Sequence, residues 1–267
     1  MKLFYRKTGN GKPLIIIHGL YGSSDNWLSI GKKLSGHYTV YMIDQRNHGH
    51  SPHAGENSYE DMRNDLVEFM DSHKIGKATI LGHSMGGKVA MFYAADYPGR
   101  IEKLIVADIA PKDYLLMNET SQFQLHRNIL MAMQDIDFAQ INSRNEVAGI
   151  MAEKIDNLRI RQFLLKNITK NEHSGKFQWR LNPGALYTYL DEIVSGVNKQ
   201  WLASRIPIFA YPVTFIRGEK SNYISSEDKI LIKEIYPEAR IIDIPDAGHW
   251  LHAEQPELFI KAVLQFN

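Results

Sequence analysis

Apolar residues along this chain fall into short continuous runs, separated by stretches in which they recur every three or four positions. Leu14–Ile17, Val40–Ile43, Ala78–Leu81 and Leu104–Ala107 are such runs, and each is followed at once by a polar residue or glycine. A run with no polar alternation predicts a strand covered on both faces, which is the mark of a parallel sheet. The intervening stretches, Trp27–Leu34, Tyr59–His73 and Met85–Tyr97, carry helical periodicity, and the last stops at Pro98-Gly99. Strands alternating with helices predict right-handed βαβ units in a doubly wound, mostly parallel α/β sheet. From about residue 112 to 205 the pattern becomes helical throughout, as in Gln122–Met133 and Glu146–Asn157. Strand runs resume at Val213–Ile216 and Arg240–Ile244, with helices predicted over Ser225–Tyr236 and Pro256–Phe266. No repeat or Gly/Ser linker separates these regions. The expected architecture is therefore one α/β core, 1–111 and 206–267, with a helical cap, 112–205, inserted between two strands.

Composition narrows the function classes. The 267 residues are 44% hydrophobic and 23% charged, with 31 Lys+Arg against 30 Asp+Glu. So balanced a charge argues against a nucleic-acid partner, which calls for a basic excess or stripe. With no cysteine, disulfides, thiolate metal sites and thiol nucleophiles are all excluded. The opening residues lack a signal-peptide pattern and no apolar stretch is long enough to span a bilayer. A cytoplasmic protein without stable membrane insertion is expected.

Chemistry concentrates at the carboxyl ends of the predicted strands, where α/β folds bind ligands. Gly82-His83-Ser84-Met85-Gly86 stands where a buried strand meets a helix. A G-x-S-x-G turn in that context exposes a serine hydroxyl as a nucleophile and sets the next N–H at a helix amino terminus. The hydroxyl needs a base, and His249, just after the last strand, can reach the same edge. The base needs a carboxylate to set its tautomer. Asp108, at the end of Leu104–Ala107, is the preferred acid. Glu219, in the loop after Val213–Ile216, is its rival, and Ser221 stands in that loop where an aspartate would be sought. The Leu20 and Met85 N–H groups are the expected oxyanion donors. His18 is read as a structural histidine. His48 and His50 have no third ligand at a metal-site spacing, so no metal is expected, and acyl transfer by a serine with its base calls for no cofactor.

Taken together, these segments resemble the α/β-hydrolase fold, in the chain order Ser84, Asp108, His249. More narrowly they resemble the YbfF-type esterases of bacteria and their mitochondrial abhydrolase relatives. The carrying segments are His18–Ser23, Asp44–Pro52 with Asn47 after the arginine, Gly82–Lys88, Ala107–Pro111, Trp179–Asn182 and Ala247–Glu254. The resemblance implies an esterase with a helical lid. It supports Asp108 as the acid, and it extends to short esters and acyl thioesters as substrates. Substrate contacts are expected from His83, Trp179, Arg180 and Trp250, with Arg180 suited either to an anionic substrate group or to a structural salt bridge. The cap also carries Phe123, Phe177, Tyr187, Tyr189 and Trp201, read mainly as packing. Two alternatives stand beside hydrolysis: a proton-abstracting lyase or synthase using the same three residues, and a non-catalytic ligand-binding protein.

Overall fold

The computed structural model describes residues 1–115, 120–196 and 204–265; the predicted cap residue Trp201 and the predicted helix end at Phe266 lie outside them. Nine strands are present among the described residues: β1 (Tyr5–Thr8), β2 (Lys12–Ile17), β3 (Tyr38–Ile43), β4 (Ala78–His83), β5 (Ile101–Ala107), β6 (Ile168–Lys170), β7 (Phe177–Trp179), β8 (Val213–Gly218) and β9 (Arg240–Ile244). Seven of them form one sheet in the order β1-β3-β2-β4-β5-β8-β9. All its pairings are parallel except the edge pair of β1 with β3.

Successive side chains on a strand face opposite sides of the sheet, so an unbroken apolar run is stable only if both faces are covered. Leu14 and Ile16 of β2 join one apolar cluster with Val40, Ile105 and Ile216. Trp27, Ile30 and Leu34 from α1 (Leu28–Leu34) and the turn before it complete that face, with Phe259 and Val263 from α11 (Pro256–Leu264). Ile15 and Ile17 turn the other way, toward Leu66 of α2 (Tyr59–Ser72) and Val89 of α3 (Met85–Asp96). Burying one such side chain is worth about 1.5–3 kcal/mol, so the β2 pattern alone strongly favours a two-sided sheet.

Between β5 and β8 lie α4 (Thr120–Gln134), α5 (Arg144–Ala152), α6 (Leu158–Leu165), the antiparallel pair β6–β7, α7 (Pro183–Thr188) and α8 (Leu190–Ser195). The region is therefore not wholly helical: a short hairpin interrupts it. The helix expected over Glu146–Asn157 ends at Ala152, because Asn157 starts a new one. Its side chain accepts from the Arg159 and Ile160 amides and caps α6. After β8 the chain forms α9 (Ser226–Ile235), β9 and the short α10 (Leu251–Glu254) ahead of α11. No helix among the described residues is long and apolar enough to cross a membrane.

Candidate active site

The turn from β4 into α3 puts Ser84 at φ 54°, ψ −122°, a conformation that non-glycine residues rarely adopt. Packing on either side enforces it. A Cβ on Gly82 would lie 2.2 Å from the Gly86 carbonyl oxygen, and one on Gly86 would lie 2.4 Å from that of Ile17. Only glycine fits at either place. The Ser84 amide donates to the Ala107 carbonyl at 3.0 Å, which ties the turn to the end of β5.

At that end Asp108 is fully buried and also has positive φ, at 52°. Its amide donates to the Ile216 carbonyl, so its carboxylate is aimed along the sheet edge. Oδ1 accepts from the Gly218 amide at 2.9 Å. Oδ2 accepts from the Ser221 hydroxyl and from His249 Nδ1, the latter at 2.8 Å. His249 Nε2 lies 3.0 Å from Ser84 Oγ. The Tyr223 ring stacks on the imidazole at 3.9 Å. A continuous line of hydrogen bonds thus runs Ser84–His249–Asp108. Glu219 is outside it: the residue is exposed and its carboxylate accepts from the Asp246 amide.

Opposite Ser84, the His18–Gly22 segment turns sharply, with the Gly22 amide donating to the Gly19 carbonyl at 2.9 Å. Two buried histidines brace it. His18 bonds Gly19 O through Nδ1 and accepts from the Gln45 amide at Nε2. His48 bonds Arg46 O through Nδ1 and accepts from the Tyr21 amide at Nε2, 3.3 Å away. With both ring nitrogens of His48 engaged, neither is left for a metal. The Leu20 amide has no protein partner among the described residues, and Met85 N–H is at the amino end of α3. Both therefore have the unpaired backbone donors that an oxyanion site requires.

These groups open into a cavity of about 290 Å³ with a mostly apolar wall, including Ile109, Leu125, Ile129, Ile160 and Phe163. Two of its polar wall residues come from places the sequence did not flag, His126 of α4 and Tyr223. Burial pushes His126 down to about 4, which keeps its ring neutral near neutral pH.

The four residues expected at the substrate separate in space. Trp250 does line the cavity, and Arg159 stacks over its ring at 4.9 Å. His83 reaches the cavity wall, but its Nε2 donates to the His249 carbonyl at 2.8 Å, so it steadies the His249 main chain. Trp179 is not on the cavity. It is buried in the cap, and its indole N–H donates to the Met133 carbonyl at 2.9 Å. Arg180, one residue on from the hairpin, is also away from Ser84. It lines a neighbouring polar cleft and pairs with Asp25 at 3.2 Å. Backbone pairing at the end of β7 decides both placements: Trp179 faces the cap interior, and the Arg180 amide donates to the Asn167 carbonyl at 2.7 Å.

The histidines around the site make the fold acid-sensitive. Burial lowers both His48 and His252 from 6.5 to about 3; His252 lies flat on Trp27, ring centroids 4.2 Å apart. Between pH 6.5 and about 3 the unfolded chain binds these protons and the folded chain does not. Their stabilisation is therefore complete above pH 6.5 and is lost as the pH falls, by up to about 1.4 kcal/mol per pH unit for each ring. Urea midpoints measured from pH 7.5 to 5 should fall, and His252→Phe, which keeps the stack on Trp27, should flatten the decline. A midpoint that does not move over that range would contradict this account.

Known proteins agree with this architecture. The model of the alpha/beta hydrolase fold family matches residues 12–149, and the chain belongs to that family. It is 34% identical to the esterase YbfF of Escherichia coli (strain K12), over 96% of this chain and 93% of that one. It is 35% identical to the sn-1-specific diacylglycerol lipase ABHD11 of Danio rerio, over 97% of this chain and 79% of that one. A solved marine microorganism esterase superposes with a TM-score of 0.93 at 46% identity, covering 100% of this chain and 99% of its own.

Proposed function

We propose that this protein is a serine esterase that cleaves carboxylic esters, and acyl thioesters, through an acyl-enzyme. The observation that carries the reading is the unbroken hydrogen-bond line from Ser84 Oγ through His249 to buried Asp108, at the mouth of an apolar cavity. The relatives named as esterases and lipases support the same class. As Ser84 Oγ bonds to the carbonyl carbon, its proton passes to His249 Nε2. Asp108 stabilises the resulting imidazolium, and the Leu20 and Met85 N–H groups receive the oxyanion. The bond to the leaving oxygen or sulfur then breaks as His249 returns the proton to it. Water repeats the sequence on the acyl-enzyme, releasing the acid and restoring Ser84. The apolar wall suits an acyl chain and excludes water from it.

The test is a panel of nitrophenyl esters of increasing chain length beside acyl-coenzyme A thioesters, with fluorophosphonate labelling of Ser84. A burst of nitrophenol and stoichiometric labelling are expected. No burst and no label would overturn the proposal, and labelling with thioesters untouched would confine it to oxygen esters.

A further inference from the structure

Tyr21 sits at φ 62° between Leu20 and Gly22, and each of its polar groups is tied to something else. Its amide donates to His48 of the core. Its carbonyl accepts from Asn167 Nδ2 at 2.9 Å, and Asn167 belongs to the cap. Its hydroxyl reaches His126, also of the cap, 3.3 Å from Nδ1. The turn bond from Gly22 N to Gly19 O spans Leu20 and Tyr21, so the orientation of the Leu20 amide depends on Tyr21 keeping this uncommon conformation. Asn167 is itself immobilised. It is buried, its amide donates to Leu164 O at the end of α6, and its carbonyl accepts from the Arg180 amide beside the hairpin.

Resting on the esterase reading above, we infer that Asn167 is a positioning residue of the oxyanion site. Through the Tyr21 carbonyl, the cap holds the Gly19–Gly22 turn so that the Leu20 N–H points at the developing oxyanion, and the site is complete only when the cap is seated. The core supplies one restraint on Tyr21, through His48, and the cap supplies the other two. A side chain remote from the substrate thereby sets the strength of an interaction made in the transition state. Its loss should appear in kcat rather than in KM.

Two variants test this. Asn167→Leu keeps the volume and removes the donor. Asn167→Asp keeps the shape and lacks a donor once its carboxyl is ionised. Burial against the Tyr21 carbonyl raises that pKa, so its kcat is followed up to pH 10 and read on the ionised plateau, and it carries the test if the leucine variant fails to fold. A third, Phe138→Ala, removes packing within the cap, against Trp179 (ring centroids 5.4 Å apart), and leaves the contact of Asn167 with Tyr21 in place. Removing a whole oxyanion donor costs on the order of 10²–10³ in rate, so displacing one should cost about 10–100-fold. We expect kcat for a nitrophenyl ester to fall by that factor in both Asn167 variants, with KM within about twofold and the Ki of a boronic acid transition-state analogue rising in parallel. Phe138→Ala should lower the Tm and leave kcat and Ki in place. The inference falls if Asn167→Asp keeps kcat within about twofold, if kcat falls with no change in boronate Ki, or if Phe138→Ala reproduces both effects. A Ser84→Ala variant that still hydrolyses the ester would overturn the esterase reading itself. If Ser84 is required and Asn167→Asp is silent, this inference alone is refuted.

Discussion

Ser84→Ala should lower kcat for a nitrophenyl ester by roughly 10⁴–10⁶ while leaving the protein folded. In the proposed mechanism the hydroxyl is the only part of Ser84 that takes part in the reaction. The turn is held by Gly82, Gly86 and the amide bond to Ala107, none of which involves Oγ. A residual rate above that of water should survive, because the Leu20 and Met85 donors stay in place and still favour the oxyanion. Strain can be separated from chemistry at the same position. At φ 54° an alanine remains strained and a glycine does not, so Ser84→Gly should be about 1 kcal/mol more stable than Ser84→Ala and equally inactive. Paired measurements of kcat and urea midpoint on the two variants check both statements. An alanine variant retaining a rate close to that of the parent protein would remove Ser84 from the mechanism.

How far the sequence could be read depended on how local each signal was. The inner strands β2, β3, β4, β5 and β8 are covered on both faces, so they show as unbroken apolar runs. At one edge, β9 still shows through Ile241, Ile242 and Ile244. At the other, β1 has Arg6 and Lys7 at its centre, partly open to solvent, and it leaves no such trace. β6 and β7 have three residues each, too few for any period to show. Ser84, Asp108 and His249 were legible because each follows closely on a strand of the same sheet, so knowing the strands already placed them on one edge. The cap offers no such frame. Its contribution to the site depends on how α4 and α6 lie over the core, which brings His126 and Phe163 to the cavity and leaves Trp179 and Arg180 elsewhere. Ser221 is an intermediate case. Its position was conspicuous in the chain, where an acid would be sought, but only the fold shows its hydroxyl bonded to Asp108, which directly follows the neighbouring strand β5.

That arrangement bears on the second large effect, an expected loss of about 10⁴ in kcat for Asp108→Asn. An asparagine must place its NH₂ where one of the two carboxylate oxygens was. At the Oδ1 position it would face the Gly218 amide, a backbone donor with no way to become an acceptor. At the Oδ2 position it would face Ser221 and His249, and both can adapt: the serine hydroxyl rotates, and the imidazole shifts its proton to Nε2. The second orientation leaves no donor opposed to a donor, so it should prevail. It is the damaging one, because a proton on Nε2 prevents His249 from taking the proton of Ser84. The variant should therefore stay folded and have little activity, with the residual rate rising where hydroxide can replace the missing base. Glu219→Gln should leave kcat within about threefold, since that carboxylate is exposed and bonded to Asp246 and its screened charge acts weakly on the imidazole. Ser221→Ala gives an internal control. Without that hydroxyl, the introduced NH₂ at the Oδ2 position loses an acceptor, and the preference between the two orientations narrows. Asp108→Asn combined with Ser221→Ala should then be no slower, and less stable, than Asp108→Asn alone. A large loss for Glu219→Gln with Asp108→Asn near the parent rate would assign the acid to the other loop.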